Sequence, residues 1–424
     1  MRSTISFAIV LVATLSHALP PAAEDPEKTL EAAIYRANVL GDLPGAIQQF
    51  ETIAVRYAGK PVAASALLEI GQAEERLGHA SRARDAYLRL VRDYPDQAPF
   101  VAHLQQHLEW TSDAARNAQS MTWVNPHSSA VPPARCCTGM AYDQATHSTV
   151  LFGGFTPRMC FGDTWLWRNG WRKLSPVTAP SARSGPGMVY DGAAGNVVLF
   201  GGIDSNGISL DDTWTWNGIT WTRQFPSISP PARRFDGHGM AYHAATRKVV
   251  LFGGTEGRRA LGDTWTWDGI AKTWTQPLPA SSPSPRRSTM VYDEAAKALV
   301  LFGGDSGGPL FNDTYYNDTW TWDGTRWIRQ FPSSSPSARG EVSIAYDPGL
   351  RSVVVFGGVG GRGRRSNDTW LWNGSNWREV HPNAAPMARC AAAMDYDPIA
   401  NELVLFGGFG INTLNDTWVL IPMP

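Results

Sequence analysis

Residues 187–226 read GMVYDGAAGNVVLFGGIDSNGISLDDTWTWNGITWTRQFP, and this stretch decides the fold. It divides into four short runs separated by turn chemistry. GMVYD is small and apolar, as suits an inner strand where chains crowd together. VVLF is continuously apolar, as suits a strand buried on both faces. DTWTW alternates, and WTRQFP follows the tight Asn217–Gly218 turn. Four strands joined by hairpins make one antiparallel sheet.

The same unit recurs along the second half of the chain. Its glycine pairs begin at Gly153, Gly201, Gly253, Gly303, Gly357 and Gly407, spaced 48, 52, 50, 54 and 50 residues apart. DTW opens at Asp163, Asp212, Asp263, Asp318, Asp368 and Asp416. A period near 50 with four strands per copy resembles the Kelch repeat, over residues 121–424. The resemblance implies a six-bladed β-propeller. Where that family usually carries Tyr in the third strand, this chain has Trp165, Trp214, Trp265, Trp320, Trp370 and Trp418, as in galactose-oxidase-like or bacterial variants. The tryptophans are expected in the core, each removing ~150–250 Å² from water.

The last copy ends at DTWVLIPMP without a fourth strand, and a spare one, TWVNP around Trp123, precedes the first copy. Trp123 is therefore expected to complete the last blade and seal the ring, which leaves no open sheet edge.

A different period precedes the propeller. GDLPGAIQQFETIAVRY from Gly41 matches GHASRARDAYLRLVRDY from Gly78 at an offset of 37 residues. The apolar positions step by three and four, which predicts helices. Leu68, Gly71, Leu77, Gly78, Ala83, Tyr87 and Pro95 give a resemblance to the tetratricopeptide repeat. We place TPR-like repeats with a capping helix (98–118, with Phe100, Leu104, Leu108 and Trp110) over residues 28–118. Two repeats are few for a free-standing solenoid, so this part is expected to lean on the propeller or a partner.

Met1–Ala18 carry one basic residue and an apolar run from Ile5 to Leu15, which reads as a cleaved signal peptide and predicts a periplasmic or extracellular protein. The run is too short to span a bilayer, so no transmembrane segment is expected after cleavage. With 37 basic and 38 acidic residues no global field draws in nucleic acid. Export makes Cys136, Cys137, Cys160 and Cys390 disulfide candidates. Strand alternation would set Cys137 opposite Cys390 and leave Cys136 for Cys160, with a vicinal Cys136–Cys137 bond as another possibility.

A residue present in every copy is read as structure. The arginine before each first strand (Arg135, Arg183, Arg233 or Arg234, Arg286 or Arg287, Arg339, Arg389) shares a face with the aspartate that opens each third strand. Arg–Asp pairs bracing the blades are predicted, with an anion-binding ring as the alternative. The Asn-Asp-Thr triplets at Asn312, Asn317, Asn367 and Asn415 match the glycosylation sequon but coincide with the strand opening.

The loops between second and third strands hold 8, 9, 8, 13, 9 and 7 residues, and variation on one rim marks a binding face. The binding candidates there are Tyr315, Tyr316, Arg258, Arg259, Arg362, Arg364 and Arg365. They imply an exported binding scaffold for a protein or glycan, without a cofactor. The alternative is a carbohydrate-active enzyme. A galactose-oxidase-like copper site needs clustered His and Tyr, and only His238 lies near an inner strand, His243 falling at the other face. A sialidase-like hydrolase needs a carboxylate pair. Asp236 and Glu341 stand out as inner-strand carboxylates, and TWDGTRW loosely resembles an Asp box.

Overall fold

The computed structural model describes residues 25–38, 40–77, 79–96, 121–235, 239–257, 259–307 and 313–422. The expected signal peptide (1–18) and capping helix (98–118), with Gly78, Asp236, His238, Arg258 and Asn312, lie outside the described residues.

Among the described residues, strands assemble into six four-stranded antiparallel sheets. We number the blades from the N-terminal side and letter their strands a to d from the axis outward. Blade 1 is Gly139–Asp143, Ser148–Phe152, Thr164–Trp167 and Trp171–Leu174. Blade 2 is Gly187–Asp191, Asn196–Phe200, Thr213–Trp216 and Trp221–Gln224. Blade 3 is Met240–His243, Lys248–Phe252, Thr264–Asp268 and Thr273–Thr275. Blade 4 is Arg287–Asp293, Ala298–Asp305, Tyr315–Trp322 and Trp327–Gln330. Blade 5 is Ser343–Asp347, Ser352–Phe356, Thr369–Trp372 and Trp377–Val380. Blade 6 takes strands a to c from Ala393–Asp397, Glu402–Phe406 and Thr417–Pro422, and its strand d is Met121–Val124.

The ring thus closes as its strand count requires. Trp123 pairs with Leu420 and Val124 with Val419, so the two ends of the propeller meet in one sheet. The d-strand tryptophans show what joins each blade to the next. Each lies against the b-strand phenylalanine of the preceding blade and donates its indole N–H to that blade's c-strand threonine. Trp221 donates to Thr164 at 3.0 Å and Trp171 to Thr417 at 2.7 Å. Trp274, Trp327 and Trp377 repeat this on Thr213, Thr264 and Thr319. Trp123 does the same to Thr369 at 3.3 Å, with its ring 5.1 Å from Phe356. The seam therefore copies the interior junctions, with the longest bond of the six.

The other letters of DTW are also structural. Each aspartate accepts two bonds from its blade's arginine, as in Arg183 Nη2 to Asp212 Oδ2 at 2.9 Å, and one from the indole two residues on, as in Trp214 Nε1 to Asp212 Oδ2 at 2.7 Å. All six pairs form: Arg135–Asp163, Arg183–Asp212, Arg233–Asp263, Arg286–Asp318, Arg339–Asp368 and Arg389–Asp416. The arginines are buried, and Nη1 of each also reaches the first glycine carbonyl of its own blade, as in Arg135 to Gly153 at 2.9 Å. Burial raises these carboxyls, and the bonds from Arg and Trp outweigh it, so all six are held below the usual range.

One expectation needs correction. The first c-strand tryptophan is not uniformly core. Trp165 and Trp265 are buried, whereas Trp214, Trp320, Trp370 and Trp418 are half-buried. Positions i and i+2 of a strand share a face, so this indole sits beside its aspartate near the rim. The second c-strand tryptophan and the d-strand one form the core instead, led by Trp216 and Trp221.

The glycine pair is required where strand b meets the neighbouring blade. Gly153 has φ +71°, and a Cβ there would lie 2.6 Å from the Arg183 carbonyl of blade 2. That carbonyl accepts the Gly154 N–H at 2.9 Å.

Among the described residues, four helices precede the propeller: α1 Pro26–Asn38, α2 Leu43–Arg56, α3 Pro61–Arg76 and α4 Ala80–Asp93. The 37-residue offset holds in their packing, since Ala46 and Ala83, and Phe50 and Tyr87, are buried in one cluster. Gly71 lets Tyr87 lie on α3, where a Cβ would sit 2.0 Å from the ring. The Arg76 guanidinium lies 6.0 Å from the centre of the Phe331 ring, just after strand d of blade 4. No described helix is long and apolar enough to cross a membrane.

Candidate functional site

The d-to-a and b-to-c segments share one face, as shown by the small ladders Arg183–Asp204, Arg339–Gly360 and Cys136–Phe155. On this face lies a funnel of about 790 Å³. Blade 4 builds its charged wall. Its three inner strands run longer than those of the other blades, through register shifts at Arg287/Thr289 and Phe302/Gly304. This extension carries Arg287, Asp305 and Tyr315 onto the rim, with Asp305 paired to both Arg287 and Tyr315. Tyr315 and Tyr316, read from sequence as loop residues, therefore begin a strand.

Arg287 is the hub of the wall. Its Nε donates to Asp305 Oδ1 at 2.8 Å, with Nη2 2.6 Å from the same oxygen. Asp313 and Glu341 lie 3.7 Å from it. Asp305 is fully buried, and burial pushes its carboxyl up against the pull of Arg287. Burial, then Asp305, Asp313 and Glu341, push the Tyr315 hydroxyl up to about 12, so it is a neutral donor at physiological pH.

The structure separates the seven binding candidates. Tyr315, Arg362 and Arg365 line the funnel. Tyr316 does not, because its ring lies 3.9 Å under the Arg286 guanidinium, as Phe161 lies 3.8 Å under Arg135. Arg259 and Arg364 are exposed but outside the lining. Arg365 stacks 4.6 Å over Phe409. Arg234 and Arg287, read from sequence only as alternative brace arginines, also line the funnel, as does Asp313, which was missed. Their signal was present, since blades 3 and 4 carry a second arginine, Arg234 and Arg287, beside the bracing Arg233 and Arg286.

Of the carboxylates, Glu341 lies just before strand a of blade 5, with φ +53°, and belongs to the Arg287 cluster. The inner-strand carboxylate is instead Asp395, in strand a of blade 6, which the sequence reading passed over. His243 is buried at the end of strand a of blade 3, where Thr246 bonds its Nδ1 at 2.9 Å and caps the turn. Asn317, Asn367 and Asn415 are exposed where strand c opens.

All four cysteines line the funnel, and none is joined in a disulfide. The expected Cys137–Cys390 and Cys136–Cys160 bonds are absent, and the Cys136 and Cys137 sulfurs are 3.5 Å apart. Strand alternation does not hold through Cys137, which has φ +55°. A left-handed residue interrupts the extended chain on which alternation depends. Burial, then the nearby Glu341 carboxylate, push the Cys390 thiol well up.

Residues 166–328, from strand c of blade 1 to strand d of blade 4, match the model of the KLHDC2/KLHL20/DRC7 Kelch-repeats domain. No curated protein matches the chain.

Proposed function

We propose that this chain, whose larger part is a Kelch-repeat β-propeller, is a binding scaffold that holds a segment of a protein partner in the funnel on its loop face. One observation carries this reading. The Arg–Asp and Trp–Thr groups that recur in six blades are already bonded to one another, whereas the charged and tyrosine side chains of the funnel do not recur. Arg158, Arg234, Arg287, Arg362 and Arg365 outnumber Asp204, Asp313 and Glu341 in that lining, which favours a segment bearing carboxylates. Aromatic and arginine side chains are also the usual anchors of protein contacts. The helical repeats offer a second partner surface through exposed Tyr35 and Val55. The leader-like residues 1–18 support a site of action outside the cytoplasm.

The test is selection of peptides from a displayed library on the purified chain. Acidic peptides should be enriched and should lose about tenfold or more in affinity on Tyr315→Ala or on combined Arg362→Glu and Arg365→Glu. Ile219→Asp, at an exposed turn of the opposite face, should leave them unchanged. Peptides indifferent to the funnel variants, or a glycan-array signal without peptide binding, would overturn the assignment to a protein segment.

A further inference from the structure

The propeller has a second opening, of contrasting chemistry. A cavity of about 480 Å³ lies along the axis toward the a-to-b turns, a volume suited to a small ligand. Each blade gives one tyrosine to its wall: Tyr142, Tyr190, Tyr242, Tyr292, Tyr346 and Tyr396. Its lining includes the carboxylates Glu294 and Asp395 and, among the described residues, contains no lysine or arginine. Arg168, Arg247 and Arg351 act on tyrosine hydroxyls from outside the lining.

The tyrosines recur and pack against turns, so they alone indicate nothing about a ligand. Asp395 does not recur. The other blades have Ala141, Val189, Ala241, Val291 and Ala345 at its position. Its carboxylate accepts the Tyr142 N–H at 2.7 Å and the Tyr396 N–H at 2.8 Å, tying together two inner strands across the last blade junction. Part of the residue still faces the cavity. Burial pushes this carboxyl up to about 6, which leaves it mostly ionised at neutral pH. No cation of the chain bonds it among the described residues, and the Tyr142 hydroxyl, also buried in this wall, has no partner there. A buried carboxylate without a counter-charge is costly, and the electron-rich faces of aromatic rings attract cations.

We infer that this cavity binds a compact organic cation, an ammonium group on a short chain, with Asp395 as its counter-charge and the tyrosine ring as its wall. The ammonium comes either from a free amine or from a lysine side chain of a partner.

The test is calorimetric titration of the full chain with n-butylammonium and, as the anionic counterpart, butyrate. Butylammonium should bind one to one and butyrate should not. Asp395→Asn, which keeps an acceptor for one of the two N–H groups, should weaken butylammonium by about tenfold or more. Spermidine and a lysine-rich peptide then identify the source by which of the two binds more tightly. A measurement on the unaltered protein guards against a variant that does not fold. The methyl protons of tetramethylammonium should shift upfield through the tyrosine ring currents, and excess butylammonium should reverse the shift. No binding of either ammonium, binding that survives Asp395→Asn, or equal binding of butyrate would overturn the inference.

Discussion

The seam gives the sharpest test of how the ring is held. Trp123 is 2 % exposed, and four residue pairs, Met121–Pro422 to Val124–Val419, join it to the last blade with no covalent link. Trp123→Ala should cost about 3–5 kcal/mol, the usual loss for truncating a large core aromatic. The bond to Thr369 can be isolated by a double-mutant cycle of Trp123→Phe with Thr369→Val, and compared with Trp171→Phe and Thr417→Val. The interior bond is 2.7 Å long and the seam bond 3.3 Å. A net hydrogen bond contributes about 0.5–1.5 kcal/mol and weakens as it lengthens. Coupling near the top of that range is therefore expected at Trp171–Thr417, and about 0.5 kcal/mol or less at Trp123–Thr369. The assay is urea unfolding followed by far- and near-ultraviolet circular dichroism, whose coincident transitions license a single free energy. A Trp123→Ala cost under about 1 kcal/mol, or stronger coupling at the seam than inside the ring, would refute the closure argument.

Removing one partner of a bracing pair should be as costly as breaking any buried ion pair. Asp212→Ala leaves buried Arg183 without its carboxylate and should cost about 3–5 kcal/mol in the same unfolding assay. The pH dependence has two opposed parts. The bracing aspartates are depressed in the fold, so their contribution is present above about pH 4 and lost as pH falls. Asp395 is raised to about 6, so its protonated form stabilises the fold below about pH 4, and that contribution, about 2–3 kcal/mol, is lost as pH rises through 6. Stability measured from pH 4 to 7 should therefore fall more steeply for the wild type than for Asp395→Asn, and equal slopes would show that Asp395 does not titrate in this window. Thiol titration should count four free thiols in denaturant. In the native protein, half-buried Cys137 should react first and Cys390, buried beside Glu341, last.

The architecture was legible because the ring repeats itself. A residue needed in every blade leaves six marks in one chain, so the Arg–Asp braces, the glycine pairs and the missing strand at Trp123 are legible in the sequence. What repetition did not show was local geometry. The left-handed backbone at Cys137 cancels strand alternation, and the register shifts in blade 4 turn Tyr315 from a loop residue into a strand residue. Neither follows from residue type. Arg287, read only as an alternative brace, and Asp395, passed over, escaped for a different reason, since each stands inside a repeated segment and passes there for a variant of it. Both are exceptions at their own positions in the repeat, Asp395 standing where the other blades have Ala or Val.

Such exceptions also explain why the two openings differ. Six equal copies repeat the same scaffold around the axis at each end, so a charge that one blade alone carries comes from single residues. On the loop face the added residues are mainly arginines, carried by the second arginine of blades 3 and 4 and by the segment of blade 5 that bears Arg362 and Arg365. On the turn face they are carboxylates, Glu294 and Asp395, set among tyrosines. Opposite charges at openings along one axis favour different ligands at each, one bearing carboxylates and one bearing ammonium. The Arg–Asp braces lie within single blades and the Trp–Thr bonds between neighbouring ones, and neither set is in either lining, so lining residues other than Asp395 can change without loosening the ring.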